Sequence, residues 1–299
     1  MRRTLVKIAV AAALLPIVLP AHALVTSIDD LLVKRDGGNY FHDTFGDGIA
    51  PPVAEANTGV CGALAPACYA VFGPFAANAE SGGKLRFDTA AGLPSEAADG
   101  TDVVTQRIRL LTNRDDTQPT TGLKIGHTFS AAALFDLSVP GPGDSYTLRF
   151  EDLHLNDPEP DSRNDFLQFQ VRMGTLSGAV PVIALRKQNF IDGTIDVIAS
   201  TPLDLDLEAD QIRLTLDHKV ANSTEVFASW EYLLSGNVVG SGSFETPGTI
   251  FTGENFTRVA VLVSTVTPVP EPSSYATMLV GLGLLGWRLR GSSKVDRSS

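Results

Sequence analysis

Charge is scarce in this chain. Asp, Glu, Lys and Arg together make up 19% of its 299 residues, and aromatic residues 7%. Only two cysteines occur, Cys61 and Cys68, and no histidine lies near them, so a zinc site lacks its remaining ligands. There is no His-x-x-x-His pair and no Gly-x-Ser-x-Gly elbow, which removes two common hydrolase frameworks. No apolar run reaches the length of a secure membrane-spanning helix. Outside the two ends, no segment of useful length shows helical spacing of apolar residues.

Turn formers and apolar residues are plentiful: 27 Gly, 18 Pro and 43% hydrophobic content. Low charge with many turn formers favours an all-β domain, and the length allows one large domain or two small ones. The charge is also uneven. Of the 23 basic residues, three lie in the first 23 residues, which hold no acid, and four in residues 269–299, which hold two acids. The intervening body keeps 16 basic and 32 acidic residues. A surface this negative repels a phosphate backbone, so nucleic acid is not an expected partner, and solubility outside the cell explains the excess.

The amino terminus has three ordered parts. Arg2, Arg3 and Lys7 form a basic start, Ile8 to Leu19 is apolar apart from Pro16, and Ala21-His22-Ala23 is a small-x-small cleavage site. This is the pattern of a secretory signal peptide, and signal peptidase is expected to leave a mature chain starting at Leu24. Export makes Cys61 and Cys68 read as a disulfide closing a short loop in an oxidising compartment.

Period-2 patterns fill the body. Tyr146, Leu148 and Phe150 alternate with Thr147, Arg149 and Glu151. Leu167, Phe169, Val171 and Met173 alternate with Gln168, Gln170 and Arg172. Ile212, Leu214 and Leu216 alternate with Arg213, Thr215 and Asp217. Val226, Ala228, Trp230 and Tyr232 share a face, and Val259, Val261 and Val263 form a last strand. Each strand is expected to turn one face to a core and the other to water. Clusters such as Val139-Pro-Gly-Pro-Gly-Asp144 separate them, and many strands without helices predict a sandwich or barrel. The expected organisation is signal peptide 1–23, β-sandwich 24–266 and a sorting tail 267–299.

The tail carries the most specific signal. Pro270-Glu271-Pro272 is followed by an apolar run from Tyr275 to Trp287 and then by Arg288 and Arg290. A Pro-flanked acid cannot sit inside a helix or a central strand, so it stays accessible to a processing enzyme. The apolar run would extend roughly 20 Å as a helix, short of the roughly 30 Å hydrocarbon core, and the arginines favour a cytoplasmic far end. These parts resemble the PEP-CTERM sorting signal of Gram-negative bacteria, although Gly291 to Ser299 extends past the usual stop. The resemblance implies Sec export and a transient stay in the inner membrane through the short C-terminal helix. It also implies recognition by exosortase, a membrane-embedded cysteine peptidase or transpeptidase, at Pro270, Glu271 and Pro272. Association with exopolysaccharide and the outer surface follows. Gly281, Gly283 and Gly286 fit Gly-x-Gly-x-x-Gly but neither follow a strand nor leave room for a βαβ unit, so no nucleotide is expected.

The body is also similar to the concanavalin A-like (laminin-G-like) jelly roll. The carriers are Tyr40 to Phe45 with Gly46-Asp47-Gly48, the segment Gly83 to Asp88, Phe135-Asp136-Leu137 and the later strands. The resemblance implies a scaffold able to host glycan binding, which is not itself a function. Jelly-roll glucanases carry an acid-x-Asp-x-acid strand, and Asp204, Asp206 and Glu208 are similar to it. On a strand these three carboxylates would share one face as glycoside hydrolysis requires, or they mark an edge strand without chemistry. Asp157, Glu159, Asp161 and Asp165 could hold Ca²⁺ in a Pro-containing loop that lacks an EF-hand glycine; no other cofactor is indicated. His42, His127, His154 and His218 read as ordinary strand or loop residues, and Trp230 and Tyr232 as core rather than sugar-stacking residues. The two functional expectations are a structural or interaction protein of the cell envelope or matrix, or a secreted glycan hydrolase or lyase using residues 204–208.

Overall fold

A computed structural model describes residues 24–46, 67–76, 79–96, 102–112, 123–153, 166–176, 178–189, 194–250 and 256–266. The predicted signal peptide with Ala21 and Ala23, Cys61, the acidic loop with Asp157, Glu159, Asp161 and Asp165, His154, and the tail with Pro270, Glu271, Pro272, Arg288 and Arg290 lie outside the described residues, as does the side chain of Cys68. Residues Ala23–Thr267 form one compact unit.

The described body contains eighteen strands, one 3₁₀ turn at Thr89–Ala91 and no α-helix. The first sheet, A, uses β1 (Val25–Arg35), β2 (Gly38–Asp43), β4 (Glu80–Ser81), β5 (Lys84–Asp88), β9 (Phe129–Asp136), β14 (Gln211–His218), β15 (Glu225–Leu234), β16 (Asn237–Ser243) and β17 (Gly248–Thr249). The second, B, uses β3 (Ala67–Phe72), β6 (Leu93–Glu96), β7 (Asp102–Thr112), β8 (Leu123–Lys124), β10 (Asp144–Leu153), β11 (Phe166–Met173), β12 (Pro181–Asn189), β13 (Thr194–Pro202) and β18 (Phe256–Val266). The order is β16-β15-β14-β9-β1-β5-β4 in sheet A and β13-β12-β11-β10-β18-β7-β3 in sheet B. Every pairing is antiparallel, and the chain passes repeatedly between the sheets, as in a jelly-roll sandwich. The first and last strands both lie inside their sheets rather than at an edge.

Alternation explains which face is buried. Tyr146, Leu148, Phe150, Leu167, Phe169 and Val171 of sheet B meet Ile28, Leu31, Phe135, Ile212, Leu214 and Ala228 of sheet A, and all are buried. Rings cross the gap between sheets: Phe135 lies 5.1 Å from Tyr146, and Phe129 lies 5.5 Å from Phe150. Two hairpins turn on residues with positive φ, Asp36-Gly37 (50° and 79°) and Ser235-Gly236 (49° and 81°), as a two-residue turn matched to strand twist requires. Gly242 pairs with Trp230 across β15 and β16, and a Cβ there would meet the indole at 2.3 Å. The glycine makes room for the ring against the neighbouring strand. His218 is fully buried, and its ring bridges the carbonyls of His127 and Ser223, each at 2.8 Å, joining the ends of two strand connections.

One core residue conflicts with its surroundings. Tyr146 is fully buried, and its hydroxyl has no hydrogen-bond partner among the described residues. Burial, with Tyr232 adding to it, pushes that phenol well above its usual range. An unmade hydrogen bond in a core costs about 1–3 kcal/mol. Tyr146→Phe keeps the ring and removes the orphan, so it should raise stability by about 1 kcal/mol or more in chemical denaturation. A loss of stability would mean that the hydroxyl has a partner after all.

Candidate functional site

The face of sheet B turned away from the core is not an ordinary wet surface. Strand register stacks Thr147, Arg149 and Glu151 of β10 beside Gln170, Gln168 and Phe166 of β11. On the other side, Leu262, Ala260 and Arg258 of β18 face the same residues, and Arg107 and Arg109 of β7 follow. Alternation alone would leave this row in water. Instead Thr147 and Glu151 are fully buried, Gln170 is 2% exposed and Arg149 6%. The sheet thus has an apolar buried face and a polar one that is largely buried too.

Glu151 is the centre of that layer. Its carboxylate pairs with the guanidiniums of Arg149 and Arg109, with Arg107 at 3.9 Å. Burial alone would raise its pKa; the charges of Arg149, Arg109 and Arg107 override that and hold it at about 2, below the ordinary 4.5. Burial lowers Arg149, with Arg109 adding to it while Glu151 opposes. Burial also pulls Arg107 down to about 9, and the neighbouring Arg149 and Arg109 charges add to the effect. One carboxylate does not neutralise three clustered guanidiniums. Two of them stand over rings: Arg149 lies 4.0 Å from the Phe166 ring centre, and Arg107 5.2 Å from that of Phe72.

A groove enclosing about 310 Å³ crosses this face from Phe72 on β3 to Ile195 on β13. Arg107, Arg149, Arg172 and Arg186 line it, with Gln168, Gln170 and Gln188 between them. Seven strands abreast make it about 29 Å wide. Gln168 donates to Gln188 at 2.6 Å, and the Thr105 and Ser264 hydroxyls meet at 2.9 Å. Nε of Arg107, Nε of Arg149 and Nε2 of Gln170 are buried without a hydrogen-bond partner among the described residues. Asp144 stands at one end of the groove, where its carboxylate accepts from Gly141 N at 3.0 Å and from the Thr265 hydroxyl.

The carboxylates singled out in the sequence lie elsewhere. Asp204, Asp206 and Glu208 sit on an irregular connection between β13 and β14, not on a strand, so the expected shared face does not form. Asp204 bends the segment locally, its carboxylate accepting from Asp206 N at 3.1 Å while Tyr232 Oη accepts from Asp204 N at 3.0 Å. Pro202 before it and the Asx turn after it compete with strand pairing. Asp204 and Asp206 border a cavity beside Trp230 and Tyr232. Tyr232 is buried, and Trp230 is half-buried against Phe244 at 5.1 Å. His42 and His127 make surface pairs with Asp30 and Asp36. Among the described residues, no three acidic, His or Cys side chains are grouped to hold a metal. A separate cation, Lys84, neutralises Asp136 at 2.5 Å and Asp29 at 3.3 Å; burial, then the Asp136 charge, raises the Asp29 carboxyl.

Sequence reasoning did not find the groove. The available signal was the repeated Arg and Gln at the polar positions of β10, β11 and β12, which reads as solvated until the strands are ordered in space.

Removing the Glu151 charge should be costly, because it strands buried guanidiniums. Glu151→Gln is expected to lower stability by about 3–5 kcal/mol in urea unfolding. Since its folded pKa lies below the ordinary one, Glu151 contributes fully above pH 4.5 and loses that contribution as pH falls towards 2. The wild-type protein should lose stability more steeply than Glu151→Gln across that interval. Parallel acid profiles would remove Glu151 from its structural role.

Comparison with known proteins adds a signature at one end. Residues 268–291 match the PEP-CTERM protein-sorting motif. No curated protein matches the chain. Among solved structures, the chain is similar to a β-glucanase of Bacillus licheniformis, with 12% identity, a TM-score of 0.29 and coverage of 60% of this chain and 72% of that one. It is also similar to the κ-carrageenase of Pseudoalteromonas carrageenovora, solved with an oligotetrasaccharide of κ-carrageenan, with 10% identity and a TM-score of 0.28. That match covers 60% of this chain and 65%, just under two thirds, of the carrageenase. The chain carries a PEP-CTERM protein-sorting motif behind an all-β body of two antiparallel sheets.

Proposed function

We propose that this chain is an exported protein of the envelope or extracellular matrix, sorted by exosortase through its tail, with a sandwich body that binds exopolysaccharide. The observation that carries the sorting reading is the PEP-CTERM match at residues 268–291, directly after the last strand. Three residues, 267–269, separate Val266 from Pro270. That spacer spans at most about 11 Å, so exosortase would meet its recognition triplet close to a folded domain. On this reading residues 1–23 are removed by signal peptidase, Pro270, Glu271 and Pro272 are recognised, and residues 273–290 hold the chain briefly in the inner membrane.

Binding without cleavage is favoured for the body. Glycoside hydrolysis needs a carboxylic acid that can give up a proton and a second carboxylate across the bond. Glu151 is committed to arginines and held at about 2, so it is no proton donor near neutral pH. A hydrolase reading keeps Asp204 and Asp206 beside Trp230 as its candidates. Release of reducing sugar from bacterial exopolysaccharide, lost in Asp204→Asn, would favour that second reading.

Mass spectrometry of the protein from its own host tests the sorting reading. The mature chain should begin at Leu24 and lack the residues after the Pro-Glu-Pro triplet. Glu271→Ala should keep the full tail and stay with the inner membrane. Identical masses and location for the two would sink the proposal.

A further inference from the structure

We propose that the groove across sheet B binds an acidic polysaccharide, whose carboxylate or sulfate groups pair with Arg107, Arg149, Arg172 and Arg186. This rests on the glycan-binding reading above and names the ligand class.

Charge segregation is the first support. The body has twice as many acids as bases, yet this face reverses the ratio. Six of its 16 basic residues gather here, four lining the groove and Arg109 and Arg258 beside it, and among the described residues the acids on this face are Asp144 and Glu151. Solubility does not require such sorting. The opposite outcome, cations spread among the acids, would lower the repulsion among these arginines.

The kind of hydrogen-bonding group is the second. Among the described residues that line the groove, buried donors lack a hydrogen-bond partner: Nε of Arg107, Nε of Arg149 and Nε2 of Gln170. A neutral sugar offers hydroxyls, which bring a donor with every acceptor. An ionised carboxylate or sulfate brings acceptors only, and guanidinium forks match it in a bidentate way. Burial lowers the Arg107 pKa first and the Arg149 and Arg109 charges add to it; a bound anion would offset that second part. Stacking on Phe72 and Phe166 fixes two of the forks before any ligand arrives, which reduces the entropy lost on binding.

Dimensions point to a polymer. A groove about 29 Å wide exceeds a single sugar ring several-fold. The Gln168–Gln188 amides and the Thr105–Ser264 hydroxyls between the arginines suit the sugar hydroxyls that lie between charged groups. Nucleic acid is disfavoured. Phe72 and Phe166 are covered by arginines and so are not open platforms for bases, and the surrounding body is strongly acidic.

Affinity electrophoresis of the full chain tests this, using gels that contain polygalacturonate, dextran sulfate or neutral dextran. Retardation by an acidic polymer and not by dextran is expected, weakening as salt rises; the two acidic gels show whether carboxylate or sulfate is preferred. Arg172→Gln and Arg186→Gln, at half-exposed positions, should each weaken binding by about tenfold while lowering the melting temperature far less than Glu151→Gln does. Equal retardation by dextran overturns the acidic assignment but leaves a glycan-binding body. No retardation by any of the three overturns both. Equal binding of duplex DNA, or binding untouched by both substitutions, also overturns the inference.

Discussion

A carboxylate without access to water, surrounded by three guanidiniums, is the constraint on which the second sheet depends. Glu151 can be buried only because Arg149 and Arg109 pair with it and Arg107 stands near. Those arginines come from β10 and β7, which are separated by β18. The pairing therefore spans three strands and works only at one register. A two-residue slip of β7 would keep its apolar residues facing the core yet leave only one of its two arginines at a position that now serves Glu151. Hydrophobic alternation tolerates that slip, and the ion cluster does not.

The same cluster determines what the outer face can do. Sheet A buries one face and meets most of its structural demand through apolar packing. Sheet B buries both, one through rings and branched aliphatics and the other through charge and amides. Its polar layer is held by contacts that leave it donor-rich, with arginines over rings and Glu151 committed to them. Such a layer recognises acceptors well and moves protons poorly, which is why a binding role follows from it more readily than a catalytic one.

Much of the scaffold was legible in the sequence. Tyr146, Leu148 and Phe150, or Ile212, Leu214 and Leu216, follow a two-residue period that leaves little choice of inward face, and the structure buries all six. Trp230 and Tyr232 likewise share the face their spacing implied. The failures have physical causes. Asp204, Asp206 and Glu208 also alternate, but Pro202 and the Asp204 side chain draw the backbone into an irregular path. Alternation of leucines with acids does not distinguish a strand from a loop when a local side chain competes for the backbone. Arg149 and Gln170 read as solvated because periodicity reports only that a position is not apolar core. The burial of Arg149 depends on Arg109, 40 residues upstream in β7, and on Gln168, 19 downstream in β11, and Gln170 lies beside Thr147, 23 upstream in β10; no local pattern contains these relations.

Chain connectivity joins the two halves of the functional argument. β18 runs through the middle of sheet B and brings Leu262, Ser264 and Val266 to the groove before the chain passes into the sorting segment. A strand held on both sides by β10 and β7 cannot be drawn out without breaking two full ladders of hydrogen bonds. An edge strand in that position would give way one pairing at a time under any pull on the tail. A central last strand therefore resists a pull on the carboxyl end, and the groove it helps to line keeps its shape under that load.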